Sequence, residues 1–106
     1  MNKICTSIEQ SEKLIELGID VNTADMYYGN GNKDKLIIGE WKEEEHDWDD
    51  IPAWSLTALL AQMPGVELVS SNDGHYRAFW HEMYSNWYNP VDACVELILR
   101  ERKENG

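Results

Sequence analysis

The stretch that begins at Asn89-Pro90 limits the possible folds more than any other part of the chain. Asn is a favoured residue just before a helix. Pro fits the first helical position, where its missing N–H has no partner to lose. Val91, Cys94, Val95, Ile98 and Leu99 then recur at the i, i+3, i+4, i+7, i+8 spacing of one helix face. Glu96 and Arg100, four apart, suit an ion pair on the opposite face. The spacing predicts a helix over 90–103 with a broad apolar side. At 106 residues the chain has the length of one domain (1–106), so the cover for that side has to come from a single small core.

The best candidate for that cover is a hairpin over 66–81. Val66–Ser70 and His75–His81 are rich in β-branched and aromatic residues, and Asn72-Asp73-Gly74 between them is a strong turn signal. Lys35–Trp41 reads as a further strand by the same composition. Ser7 with Gln10 forms a capping-box pattern, and Gly18 is suited to close what it opens, which predicts a helix over 8–17. Ile8, Ser11 and Ile15 share its face, with Leu14 beside them. Ser55 opens a helix over 55–63, with Leu56, Leu59, Leu60 and Met63 in register, and Pro64-Gly65 stops it.

Between these elements, Asn22 or Thr23 can cap a short helical turn ending near Tyr28. Gly29–Asn32 reads as a loop, Pro52 biases Ile51 toward extended backbone, and Tyr84–Tyr88 reads as an aromatic connector. The expected fold is α+β. About three antiparallel strands (hairpin 66–81 plus strand 35–41) pack with about three helices (8–17, 55–63, 90–103).

Charge narrows the function. Nine Lys and Arg face 20 Asp and Glu, a net charge of −11. Nucleic acids and anionic membranes are met by basic surface, so neither is expected as a partner; a basic protein is compatible with the charge. No apolar run approaches the roughly 20 residues of a membrane helix. Met1–Cys5 carries no apolar signal stretch. Cys5 and Cys94 are the only cysteines and form no Cys-x-x-Cys pair, which fits reduced thiols in a cytoplasm, Cys94 as a buried small hydrophobe.

Residues 43–50 hold six carboxylates in eight positions and read as a solvated loop. Glu45, Asp47 and Asp49 alternate as calcium ligands can. Trp48 interrupts them, however, no Gly follows, and Ile51-Pro52 ends the run before a twelfth-position Glu. His75 and His81 would lie about 20 Å apart on one strand, too far to share a metal. No nucleophile elbow and no phosphate-binding loop is present. The sequence therefore nominates no catalytic, cofactor-binding or metal-binding residue and no cofactor. It does carry five Trp and five Tyr, residue types that dominate both small cores and interfaces. Trp48, hemmed in by acids that need hydration, is the aromatic expected to face solvent. Asp47, Trp48, Asp49 and Asp50 are the candidate partner-binding residues.

Several stretches together carry a resemblance: Cys5-Thr6-Ser7 with Leu14–Gly18, Ala24-Asp25-Met26, Ile51–Leu56 and Pro90–Val95. Over nearly the whole chain the sequence resembles small proteins encoded in gut Bacteroides-type bacteria, often near phage-like or mobile elements. The resemblance implies a bacterial cytoplasmic protein with a phage-linked role, and supplies no site residue. The reading reached is a non-enzymatic acidic accessory protein that meets a protein partner through acidic and aromatic surface. The alternatives are a nucleic-acid mimic that inhibits a DNA-acting protein, and a small enzyme built on a histidine.

Overall fold

Two three-stranded antiparallel sheets, built by different routes, organise the chain. The computed structural model describes residues 3–46 and 49–105. Helix α1 spans Ile8–Glu16. Strands β1 (Met26–Tyr28), β2 (Leu36–Ile38) and β3 (Ile51–Ala53) follow, then helix α2 (Leu56–Ala61). Strands β4 (Glu67–Ser70), β5 (Tyr76–Trp80) and β6 (Met83–Trp87) precede the long helix α3 (Pro90–Asn105). The α+β class and all three predicted helices are present. Among the described residues no helix is long and apolar enough to cross a membrane.

The helix ends form for the reasons their sequences suggest. The Ser7 hydroxyl accepts the Gln10 N–H, and the Gln10 side chain accepts the Ser7 N–H, which completes the capping box. Gly18 follows at φ 91°, a left-handed conformation that costs a residue without Cβ nothing. Ser55 caps α2 through the Ala58 N–H. Asn89 accepts the Asp92 N–H at the start of α3.

Helix α3 packs on β5, β6 and α2. Its buried surface is wider than the predicted stripe: Leu97 is fully buried along with Val91, Cys94, Val95 and Ile98, because sheet and helix α2 cover adjoining sides. On α1 the buried residues are Ser11 and Leu14, whereas Ile15, expected on the core face, is exposed.

The predicted strand at 35–41 forms over Leu36–Ile38, but it does not join the hairpin. It pairs with β1, and β3 pairs with the other side of β1, giving the order β2-β1-β3. The predicted single sheet is thus two. The helical turn proposed to end near Tyr28 is confined to Val21–Thr23, and Met26–Tyr28 is the central strand of the first sheet. Three residues are too few to show a period, so neither β1 nor β3 announces itself. Pro52 is tolerated in β3 because β3 is an edge strand.

The hairpin 66–81 is present as β4–β5, with Leu68 opposite Ala78. The predicted aromatic connector is a third strand, β6, with Phe79 opposite Tyr84 and Trp80 opposite Met83. Its turn, His81-Glu82, takes positive φ at both positions (49° and 65°) without Gly or Asn, so the usual hairpin signal is missing.

Candidate functional site

The acidic segment does not float free of the fold. Asp50 is drawn in at two points: its carboxylate accepts the Asn30 N–H at 2.9 Å and lies 3.1 Å from His46 Nδ1. The turn over Gly29–Gly31 makes this possible. Asn30 adopts φ 56° and Gly31 φ 64°, and a Cβ on Gly31 would stand 3.2 Å from the Asp49 carbonyl oxygen. A side chain there would push the 49–50 backbone away.

His46 is held equally firmly. Its ring stacks on Trp41 with centroids 4.0 Å apart and planes within 4°, and meets Tyr27 edge-on at 4.4 Å. The His46 and Asp50 side chains are only 8% and 12% exposed, which corrects the picture of a fully solvated loop at these two positions. Trp41 itself is buried, and its indole N–H has no partner among the described residues.

Beside Asp50 a groove of about 370 Å³ opens between α1 and β3. Glu12 and Glu16, one turn apart on α1, form one wall with Ile15 between them. Asp50, Ile51 and Pro52 form the other. Among the described residues three carboxylates and no Lys or Arg line it, with Ile15, Ile51 and Pro52 supplying its apolar surface; the Asp50 carboxylate is at the same time held by the Asn30 N–H and His46. The exposure of Ile15 now has a place: it faces this groove. Like charges set close together on one patch attract a cation more strongly than the same charges dispersed over the surface.

Of the four predicted contact residues, Asp50 lines the groove and Asp49 precedes it, half-buried. Asp47 and Trp48 lie outside the described residues. Sequence reasoning missed Glu12, Ile15 and Glu16, which reach the acidic segment across more than thirty residues of chain. The only local hint was an exposed-type glutamate pair flanking Ile15.

Most of the aromatics fall into two groups, with Trp87, 41% exposed on the α3 side of β6, outside both. Trp41, Trp54 and Trp80 are core residues. Val69, Phe79, Tyr84 and Tyr88 instead stand on the face of the second sheet that points away from α3, at 48%, 41%, 59% and 74% exposure. Alternation puts them there: along β5, Ala78 and Trp80 are buried while Arg77 and Phe79 are exposed. Phe79 stacks beside Tyr84 at 6.1 Å, and the His75 ring lies 4.2 Å from Tyr88 and bonds Asn86 at 3.0 Å. Arg77, Phe79, Tyr84 and Asn86 line a shallow depression of about 360 Å³ on this face.

The remaining polar groups serve the scaffold. The Asp92 carboxylate accepts from Lys3 (2.7 Å), Gln10 (2.7 Å) and Asn89 (2.7 Å), tying the N-terminal segment to α3. Partial burial alone would raise its pKa. These three donors outweigh that and hold it below the usual carboxylate range. Burial pushes the Cys94 thiol up to about 11 and raises Cys5 as well. Tyr28 donates to the Thr6 carbonyl at 2.7 Å and is raised by burial and by Cys5. Among the described residues no three His, Cys, Asp or Glu side chains gather as metal ligands do. His75 and His81 lie on opposite ends of β5, each against an aromatic ring.

Compared with family models, curated proteins and solved structures, the chain matches none.

Proposed function

We propose that this is a binding protein whose α1–β3 groove receives a basic segment of a partner protein. One observation carries the reading: Glu12, Glu16 and Asp50 converge on a single groove whose described lining adds Ile15, Ile51 and Pro52 and no Lys or Arg. A Lys or Arg side chain suits such a groove twice over, its aliphatic stem on Ile15, Ile51 and Pro52 and its charged head among the carboxylates. The net charge of −11 steers a basic partner toward it and repels nucleic acid. Asp49, beside Asp50 in the chain and half-buried, extends the contact. The resemblance to phage-linked bacterial proteins sets this in a bacterial cytoplasm, in an accessory role.

The test is capture of the tagged protein from its host, with and without phage induction, beside a Glu12→Lys, Glu16→Lys variant of equal thermal stability. The expected result is one stoichiometric partner, released by salt and lost from the variant. A partner held equally by the variant would overturn the groove as its site.

A further inference from the structure

We propose that the outer face of β4-β5-β6 is the interface between two copies of this chain, packed sheet to sheet. This goes beyond the proposed groove, which lies on α1 and β3.

The face is uncovered for a structural reason. The molecule measures 40 × 33 × 19 Å, and its thin dimension accommodates one sheet and one helix layer. Helix α3 takes the inner side of the second sheet, and among the described residues no element lies over the outer side. Val69, Phe79, Tyr84 and Tyr88 therefore present on the order of 500 Å² of exposed surface, broken only by the Arg77–Asn86 row, within the range of the largest patches a monomer leaves exposed. Glu67, Arg77, Asn86 and His75 fill the spaces between and around them. Together they bring the face toward the roughly 800 Å² per partner of a standard interface.

Charge selects the occupant. A basic protein is drawn to the acidic groove, whereas the strands of this face turn one Glu and one Arg outward, with Asp73 and Glu82 only at its rim, in a molecule of −11. Nucleic acid would need more cations than Arg77. A second copy, repelled by most of the surface, meets the least repulsion here. Glu67 lies opposite Phe79 and Arg77 opposite Val69, so the two charges sit diagonally on adjacent strands. Neither forms an ion pair with any described residue of its own chain. A two-fold axis lying in the plane between the two faces, across the Glu67–Arg77 diagonal, brings each Arg77 to Glu67 of the partner subunit and sets the Phe79 and Tyr84 rings against their own counterparts. That reciprocity is what an isologous interface requires.

Sedimentation equilibrium from about 1 to 200 μM, a span that covers micromolar dimers, should give twice the 12.3 kDa of one chain at the upper end. Tyr84→Glu, on an exposed residue, should give the single-chain mass with unchanged circular dichroism. Arg77→Glu and Glu67→Arg should each weaken association about tenfold or more, since each change is met twice across the axis. Mixing those two variants should restore it. A wild-type protein that keeps the single-chain mass throughout overturns the proposal, and so does a dimer indifferent to Tyr84→Glu or one the mixture fails to restore.

Discussion

The two sheets are held by different means. The second is local: β4, β5 and β6 are consecutive, joined by short turns, and one helix covers their inner face. The first is assembled from strands of three residues each, too short to hold their register by ladder bonds alone. Side chains hold it instead. The Asp25 carboxylate accepts both the N–H and the hydroxyl of Ser55. The Trp54 N–H donates to Thr6 Oγ1 at 3.0 Å, and Tyr28 donates to the Thr6 carbonyl. A small separate cluster of Cys5, Met26, Tyr28 and Ala53 packs beneath. Where hydrophobic area is small, polar bonds between distant residues fix the arrangement, and each becomes costly to lose.

Trp54→Ala tests this contrast most severely. Trp54 is fully buried, belongs to the main core, and its indole N–H donates to Thr23 at 2.9 Å. Its loss should cost about 4 kcal/mol, a large share of the roughly 5–15 kcal/mol that holds a domain folded. Leu97→Ala, in α3 above the second sheet, should cost about 3 kcal/mol. Urea denaturation of both variants checks the order; a larger loss at Leu97 would place the keystone in the second sheet.

Asp25→Ala should cost about 2 kcal/mol, because it leaves the Ser55 N–H without its acceptor and weakens the start of α2. The effect should be regional. Hydrogen exchange should quicken at 26–28, 36–38 and 51–53 while amides of β5 stay protected. Uniform quickening would show that the two sheets unfold as one unit.

Asp92 joins the halves and gives them a common sensitivity to acid. Its folded-state pKa lies below its unfolded one, so the unfolded chain takes up its proton first as pH falls. The stabilisation is complete above roughly pH 4, the ordinary carboxylate value, and fades as pH drops through the lowered folded value. Asp92→Asn should flatten the stability–pH curve in that window and lower stability at neutral pH by about 1–2 kcal/mol. A curve unchanged in shape would assign the acid response elsewhere, the Ser71-bonded Asp73 being another carboxyl held low.

The same division decides how much was legible in the sequence. Helix caps at Ser7, Ser55 and Asn89, the α3 stripe and the Asp73-Gly74 turn are local signals, and each stands where its residues put it. The first sheet depends on Asp25 finding Ser55 and Thr6 finding Trp54, contacts thirty and forty-eight residues apart that no window reveals. The candidate groove is hidden for the same reason. Asp50 was visible as one of six acids, but Glu12 and Glu16 join it only when α1 packs on β3. The β6 strand was obscured differently: its residues suit a strand, and its turn does not look like one.

That turn supplies the smallest expected effect, and a gain. His81 and Glu82 hold left-handed backbone that costs an ordinary L-residue about 1–2 kcal/mol, and Asn-Gly is the pair such a two-residue hairpin favours. Replacing both relieves that strain in part, because Gly sheds the cost outright and Asn only some of it. It also removes the His81 ring, whose centroid lies 4.3 Å from that of Trp80, a contact of about 0.5–1 kcal/mol. The net gain should be about 1 kcal/mol, read as a higher urea midpoint at unchanged slope. A fall in the midpoint would mean that the His81–Trp80 contact outweighs the backbone strain. The second sheet would then, like the first, owe its register to a side-chain contact, and the contrast between them would be one of degree.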